Sequence, residues 1–447
     1  MSKNKNIAIL GSGESGVGAA VLAKKQGFDV FVSDFGKIKE EYKAVLEKEN
    51  IEWEEGTHTL ERILKASEII KSPGIPDKVE VVQKALEKSI PVISEIEFGS
   101  RFTKAKLICI TGSNGKTTTT LLTHHILKKA GLNVGIAGNV GDSFALQVAN
   151  EDYDYYILEL SSFQLDGIKK FKADIAILLN ITPDHLDRYD YKFENYVHSK
   201  FKITDNQTKE DFFIYCKDDK AITDAFANYD LAAKQLPFSI KEEVSEGAFL
   251  NEKEEIVFNT KNQPQTMSIH DLALNGKHNI YNSMAAGIAS KVLDLRKEIV
   301  RESLTDFQNV AHRLEHICYV NGIEFINDSK ATNVNAVWFA LESINKPIVW
   351  IAGGVDKGND YEELLELVKH KVKALVCMGV DNSKLVAAFG DVVDVYETSS
   401  AEEAVKLSYK LAEKDELVLL SPGCASFDLF ENYEDRGLEF RKAVRAL

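Results

Sequence analysis

The chain has 447 residues, 44% hydrophobic and 28% charged, the balance of an ordinary folded protein too long for a single core. Its 54 Lys and Arg against 69 Asp and Glu leave a formal net charge of −15, which argues against a nucleic-acid-binding surface but permits local cationic pockets. No apolar run is long enough to span a membrane, and MSKNKNIAIL runs directly into a strand pattern, so a cytoplasmic protein without membrane insertion is expected. Cys109, Cys216, Cys318, Cys377 and Cys424 are scattered with no CxxC pair, as expected of reduced thiols.

The chain opens with NIAIL, then GSGESGVG, the apolar helix pattern AAVLAKKQG, and DVFVSD. Strand, glycine turn, helix and strand make a βαβ unit, with Asp34 following Gly11 by 23 residues. Two readings stand side by side: a turn needed only for tight helix–strand packing, or a dinucleotide or nucleotide-diphosphate site with Asp34 on the nucleoside. IIKSPGIP is a further strand and turn in which Ser72 can cap or bind phosphate, and basic RFTKAK (101–106) reads as a linker.

LICITGSNGKTTTT (107–120) comes next. An apolar strand runs into a glycine turn, Lys116 and a helix-opening row of threonines, which is the composition that holds a polyphosphate. Thr117 offers a hydroxyl to a nucleotide's Mg²⁺. Ile110 stands where the common phosphate-loop pattern has its first glycine, so the loop is either a chance Gly–Lys turn or a distinct subclass. YYILELSSFQL and ADIAILLNITPDHLDRY contain unbroken apolar runs, as in parallel strands covered on both faces. Glu159 ends one such strand, and Asp184 and His185 follow another, where ligands of parallel sheets collect.

In FENYVHSKFKI the residues Phe193, Tyr196, Val197 and Phe201 mark one helix face, and Lys200 points with them. It is either a snorkelling lysine or a buried one that loses its charge and reacts with CO₂. From 209 to 275 the chain is polar and irregular, with β-like pieces such as EEIVFN. GKHNIYNSMAAGIASKVL reads as a helix in which Asn279 and Asn282 can cap or reach a base. The third unit begins near Asn309 with AHRLEHI and GIEFINDSKATN. PIVWIAGG, ALVCMGV and ELVLLSPG are apolar runs ending in glycine loops, one of which carries Lys357.

TGSNGKTTT, ELSSFQL, NITPDHLDRY, the lysine of HSKFK, KHNIYN, HR, NDSKATN and GGVDKG occur in the order used by the Mur ligases of bacterial peptidoglycan synthesis. The chain resembles that family, which folylpolyglutamate synthases join in a wider group, over nearly its whole length. The resemblance implies an α/β chain of three domains, each a largely parallel Rossmann-like or P-loop-like sheet with flanking helices. Residues 1–101 would bind a UDP-substrate, 102–308 ATP, and 309–447 an amino acid. GSGESG and the ending SPGCASFDLFENYEDRG are most similar to the branch that adds D-glutamate to UDP-N-acetylmuramoyl-L-alanine.

Within that resemblance, Gly112, Ser113, Asn114, Gly115, Lys116, Thr117 and Thr118 would hold the ATP phosphates, with Asn279, Arg313, Asp328 and Lys330 completing the nucleotide site. Two Mg²⁺ ions are implied, one on Thr117 and Glu159 and one on His185 and a carbamylated Lys200. Lys116, Glu159, His185 and Lys200 form the implied catalytic set. Ser12, Glu14, Ser15, Asp34 and Ser72 would take the UDP-substrate together with Asn139, Gln164 and His185. Thr332, Lys357, Ser426, Phe427 and Tyr433 would bind D-glutamate; Phe427 and Tyr433 replace the leucine and phenylalanine of better-known members. A monomer is expected. The rival readings are another ligase of the family, a non-ligase P-loop ATPase, and an oxidoreductase suggested by GSGESG alone, which leaves the phosphate loop unexplained.

Overall fold

The computed structural model describes residues 6–260, 263–274, 276–307 and 311–447; Asn309, where the third unit is expected to begin, lies outside them. The first sheet is all parallel. Its strands are β1 (Asn6–Leu10), β2 (Asp29–Asp34), β3 (Glu52–Glu55), β4 (Glu68–Lys71) and β5 (Val92–Ile93), in the order β3-β2-β1-β4-β5. The strand order reverses direction at β1, and the loops after β1, β2 and β4 therefore open onto one crevice at the carboxyl edge.

The second sheet has nine strands: β6 (Lys106–Thr111), β7 (Val134–Gly138), β8 (Tyr155–Glu159), β9 (Ile175–Leu178), β10 (Phe212–Cys216), β11 (Lys234–Ser239), β12 (Gly247–Leu250), β13 (Glu255–Thr260) and β14 (Gln263–Ser268). They run β14-β13-β12-β11-β10-β9-β6-β8-β7, parallel except for the antiparallel pairs of β12 with β13 and β13 with β14. Leu107–Ile110, Tyr156–Glu159 and Ile175–Leu178 are buried without interruption, which is why these strands read as continuous apolar runs. Burial of each such aliphatic side chain contributes about 1.5–3 kcal/mol. The polar stretch 209–275, expected to be irregular, supplies five of the nine strands. Its alternating pattern in β13 reflects one buried face only.

The third sheet contains β15 (Glu315–Val320), β16 (Ile323–Asn327), β17 (Ile348–Gly353), β18 (Val372–Met378), β19 (Asp394–Thr398) and β20 (Leu417–Gly423), in the order β15-β16-β20-β17-β18-β19. Only β15 is antiparallel to its neighbour. The chain divides into two compact units, one carrying the first two sheets and the other the third. Among the described residues, no helix is long and apolar enough to cross a membrane.

The basic stretch 101–106 is not a free linker. Arg101 caps the helix Glu95–Ser100 and pairs with Glu68 at 2.7 Å and Glu97 at 3.0 Å, while Lys106 opens β6. Arg101 looks like part of a tether because its partner Glu68 lies 33 residues away in the chain.

Candidate functional site

Each sheet gathers polar residues where its strand order reverses. At the first, a cleft of about 810 Å³ is lined by Gly11, Ser15, Asp34 and Ser72 among others. Gly11 has φ 90°, and a Cβ there would come within 2.6 Å of Ser72 Oγ, so a side chain at this turn would fill the cradle. Ser72 Oγ is buried with no hydrogen bond among the described residues. Ser12 donates from both its amide and its hydroxyl to Asp34 Oδ2 at 2.7 Å, and the Gly36 amide donates to Oδ1 at 2.8 Å. Burial works against ionisation of Asp34, but these donors hold its carboxyl below the usual range. Ser12 thus shapes the cleft through Asp34. Glu14 lies beside Ser143 and Asp142, and burial raises its pKa.

At the second sheet, β6 is flanked by β8 and β9, and the loops after all three converge. The helix Lys116–Lys129 begins at Gly115, whose φ of 81° no side chain adopts cheaply and whose Cβ would sit 2.4 Å from Asn282 Oδ1. The turn is clamped by the segment after β9. The Asn114 amide donates to Asn180 Oδ1 at 2.8 Å, and Asn180 Nδ2 donates back to the Asn114 carbonyl at 3.0 Å. The Thr182 amide donates to Ser113 Oγ at 2.9 Å. Thr117 and Thr118 are buried in the first helical turn, where the N-terminal backbone N–H groups and the positive end of the helix dipole favour an anion. Asn282, left open between capping and base contact, accepts from Thr119 Oγ1 at 3.2 Å.

Two lysines meet at this turn. Lys116 Nζ donates to the carbonyls of Gly112 (2.8 Å) and Ser113 (2.9 Å), and Lys200 Nζ donates to the same Gly112 carbonyl (3.0 Å) and to Thr111 Oγ1 (3.2 Å). Lys200 is 2% exposed, on the buried face of the helix Phe193–Phe201, with the Tyr196 ring 5.2 Å away. Burial, reinforced by the charge of Lys116, pushes its amine well below the usual lysine range, against the pull of Asp184, Glu159 and Asp166. The snorkelling reading is therefore replaced by the buried one.

Glu159 ends β8 and is 1% exposed. Its Oε1 accepts from Asn139 Nδ2 at 2.8 Å, whereas Oε2 is buried with no hydrogen bond among the described residues. A carboxylate oxygen sequestered in this way fits a cation that completes its shell. His185, at φ 54°, packs edge-on against Phe163 at 5.2 Å with Nε2 3.7 Å from Asp184 Oδ2. Gln164 caps its own helix, its Oε1 accepting from the Ser161 amide at 2.9 Å. Among the described residues no three His, Cys, Asp or Glu side chains form a metal-binding group. A cation here would rely on a hydroxyl, a modified lysine, phosphate or water.

At the third sheet the loops after β16, β17 and β20 carry the remaining candidates. Asp328 is buried, and burial raises its pKa to about 6 against Arg313, the Ser421 hydroxyl at 2.9 Å and the Leu314 amide at 3.2 Å. Lys330 Nζ donates to Tyr433 Oη at 2.7 Å and lies 4.4 Å from the centre of its ring, so the residue expected on ATP and one expected on D-glutamate are in contact. Ser426 is buried, Phe427 is 73% exposed, and Thr332 and Lys357 are half-buried. Asn279 is buried in the first turn of the helix Lys277–Val292.

Arg436 escaped the sequence reading. It is buried and donates to the carbonyls of Ser329, Gly353 and Cys424 and to Ser329 Oγ, with no carboxylate among these partners. It holds the three loop ends together, and the charges of Asp428 and Asp328 act on it from nearby, with no direct hydrogen bond among the described residues. NYEDRG gave no periodic signal for it.

Comparison with known proteins respects the same division. Residues 6–81 match a model described as the MurD N-terminal domain, 110–290 the Mur ligase middle domain, and 312–424 the Mur ligase glutamate ligase domain. The chain is 57% identical over 444 residues to the UDP-N-acetylmuramoylalanine--D-glutamate ligase of Christiangramia forsetii, covering 99% of this chain and all of that one. It is 54% identical over 445 residues to the same-named protein of Bacteroides fragilis, again covering 99% and 100%. Among solved structures, UDP-N-acetylmuramate-alanine ligase of Thermotoga maritima superposes with a TM-score of 0.63 at 18% identity over 99% of both chains. A MurF ligase of the same organism, in complex with ADP, gives 0.60 at 16% identity over 87% of this chain and 91% of that one.

Proposed function

The chain belongs to the Mur ligase family, and on that premise we infer that it joins D-glutamate to UDP-N-acetylmuramoyl-L-alanine, converting ATP to ADP and phosphate. The observation that carries this reading is identity of 57% to a D-glutamate-adding ligase along the full length of both chains. The three reversal points divide the labour as 1–101 for the UDP-substrate, 102–308 for ATP and 309–447 for D-glutamate, in a cytoplasmic monomer of peptidoglycan precursor synthesis.

The substrate carboxylate is a poor acyl donor and must first accept the γ-phosphoryl group of ATP. Loop amides and Lys116 orient the phosphates and offset the charge that spreads over the transferring group. Thr117 and Glu159, with its unpartnered oxygen, suit one Mg²⁺, and His185 with Lys200 a second. Bound there, Mg²⁺ supplies charge neutralisation and in-line orientation. A neutral, buried Lys200 amine suits carbamylation: Nζ attacks CO₂, an N–C bond forms, and one proton leaves to solvent. The product is anionic, which adds attraction to Lys116 and creates a cation ligand. The amine of D-glutamate, held by Thr332, Lys357, Ser426, Phe427 and Tyr433, then attacks the acyl phosphate. Lys116 stabilises the oxyanion of the tetrahedral intermediate, and phosphate departs to leave an amide.

Phosphate release with ATP, UDP-N-acetylmuramoyl-L-alanine and single amino acids tests the assignment. D-glutamate is expected to stimulate it; stimulation by L-alanine or a diamino acid instead would overturn the specificity.

A further inference from the structure

Two side chains of the first-sheet cleft have no role in the assignments above. Phe35, directly after Asp34, is 74% exposed and lines the cleft. His58 also lines it, with the two rings 5.9 Å apart and inclined at 43°.

The protons around His58 can be assigned from its neighbours. Ser33 Oγ has a single proton and lies 2.7 Å from both Glu54 Oε1 and His58 Nδ1. Burial opposes ionisation of Glu54, yet donors from Ser33 and Thr59 hold its carboxyl below the usual range, so it accepts only. Ser33 therefore donates to Glu54 and accepts from His58, which places the ring proton on Nδ1. Burial keeps the imidazole neutral near pH 7, against the opposing pull of Glu54 and Asp34. Nε2 then carries a lone pair, and among the described residues no hydrogen bond uses it.

Resting on the reading of this cleft as the UDP site, we propose that Phe35 and His58 read the base, Phe35 packing on the uracil face and His58 Nε2 accepting its N3–H. The aromatic contact tolerates any base, whereas the imidazole contact selects. Cytosine carries a lone pair at N3 where uracil carries a proton, so the same nitrogen that accepts from uracil repels cytosine.

Calorimetric binding of UDP, CDP and 3-methyluridine diphosphate to the full chain tests this. Wild type is expected to bind UDP at least about tenfold tighter than either analogue. His58→Ala weakens UDP by about tenfold and abolishes the preference. His58→Phe, which refills the space without a lone pair, does the same and carries the comparison if the alanine variant does not fold. Phe35→Ala weakens UDP and CDP alike, keeping their ratio. A UDP-to-CDP ratio unchanged in folded His58 variants overturns base reading by His58 while the cleft remains the UDP site. Unchanged UDP affinity in Phe35→Ala overturns the stacking contact. If wild type fails to bind UDP, or Gly11→Val binds it undiminished despite the collision with Ser72, the cleft itself is misassigned and the proposal falls with it.

Discussion

At the scale of single residues, the Gly112 carbonyl is shared by Lys116 and Lys200. Two cations on one acceptor make an unstable partnership unless one changes character, and only Lys200 is buried enough to do so. Lys200→Ala is expected to lower the rate of ligation at least about a hundredfold, the scale of losing an electrostatic group at a transferring phosphoryl. Small carboxylates or carbamate donors should restore part of it, and wild-type turnover from the variant would rule the role out. The sequence placed Lys200 on the right helix face from its spacing to Phe193, Tyr196 and Val197. It did not decide between an edge and an interior position, because Thr111 and Gly112 reach the Lys200 amine from 89 and 88 residues away. Arg436 was hidden for a related reason: its partners are backbone carbonyls, which leave no trace in residue type.

At the scale of elements, the strand ends were legible because parallel strands buried on both faces leave unbroken apolar runs, closed by glycine-bearing loops or by polar turns such as NITPDH. The short helix Glu95–Ser100 was not, since it joins the first two sheets through contacts distant in sequence. Glu97 Oε2 accepts three successive amides, from Lys169, Lys170 and Phe171, at 2.9, 2.8 and 2.7 Å. Glu95 is fully enclosed, accepting from Ser143 Oγ and the Ala145 amide, each at 2.7 Å, yet burial raises its pKa to about 7. The unfolded chain releases this proton near pH 4.5 while the folded chain retains it to about 7. Stability from Glu95 is thus full below pH 4.5 and declines as pH rises to about 7, by about 3 kcal/mol in total. Glu97, whose pKa its donors lower against burial, contributes in the opposite direction. Melting temperatures from pH 5 to 8 should show wild type losing ground to Glu95→Gln as pH rises; parallel curves would contradict this.

At the scale of the whole molecule, one architectural rule is used three times: a parallel sheet, a reversal in strand order, and polar residues on the loops beyond it. This rule made the three-sheet architecture readable from the sequence, where the glycine loops and the apolar runs before them recur along the chain. The breadth of the second sheet was not readable, because β11, β13 and β14 alternate or break rather than run apolar. Separate sites predict separable defects. Lys116→Ala should bind the UDP-substrate with an affinity within about twofold of wild type while losing phosphoryl transfer by a hundredfold or more, as about 3 kcal/mol of lost charge stabilisation implies. Loss of both together, measured by calorimetry and phosphate release on the same preparation, would show that the sites are not independent.

The reciprocal pairing of Asn114 with Asn180, and of Ser113 with Thr182, has a consequence for nucleotide affinity. The shape of the phosphate turn is fixed by a neighbouring loop of the same sheet, so its conformational entropy is lost during folding. A nucleotide arriving at such a turn meets a loop already in shape, and the free energy of each contact goes into retention instead of into ordering the chain.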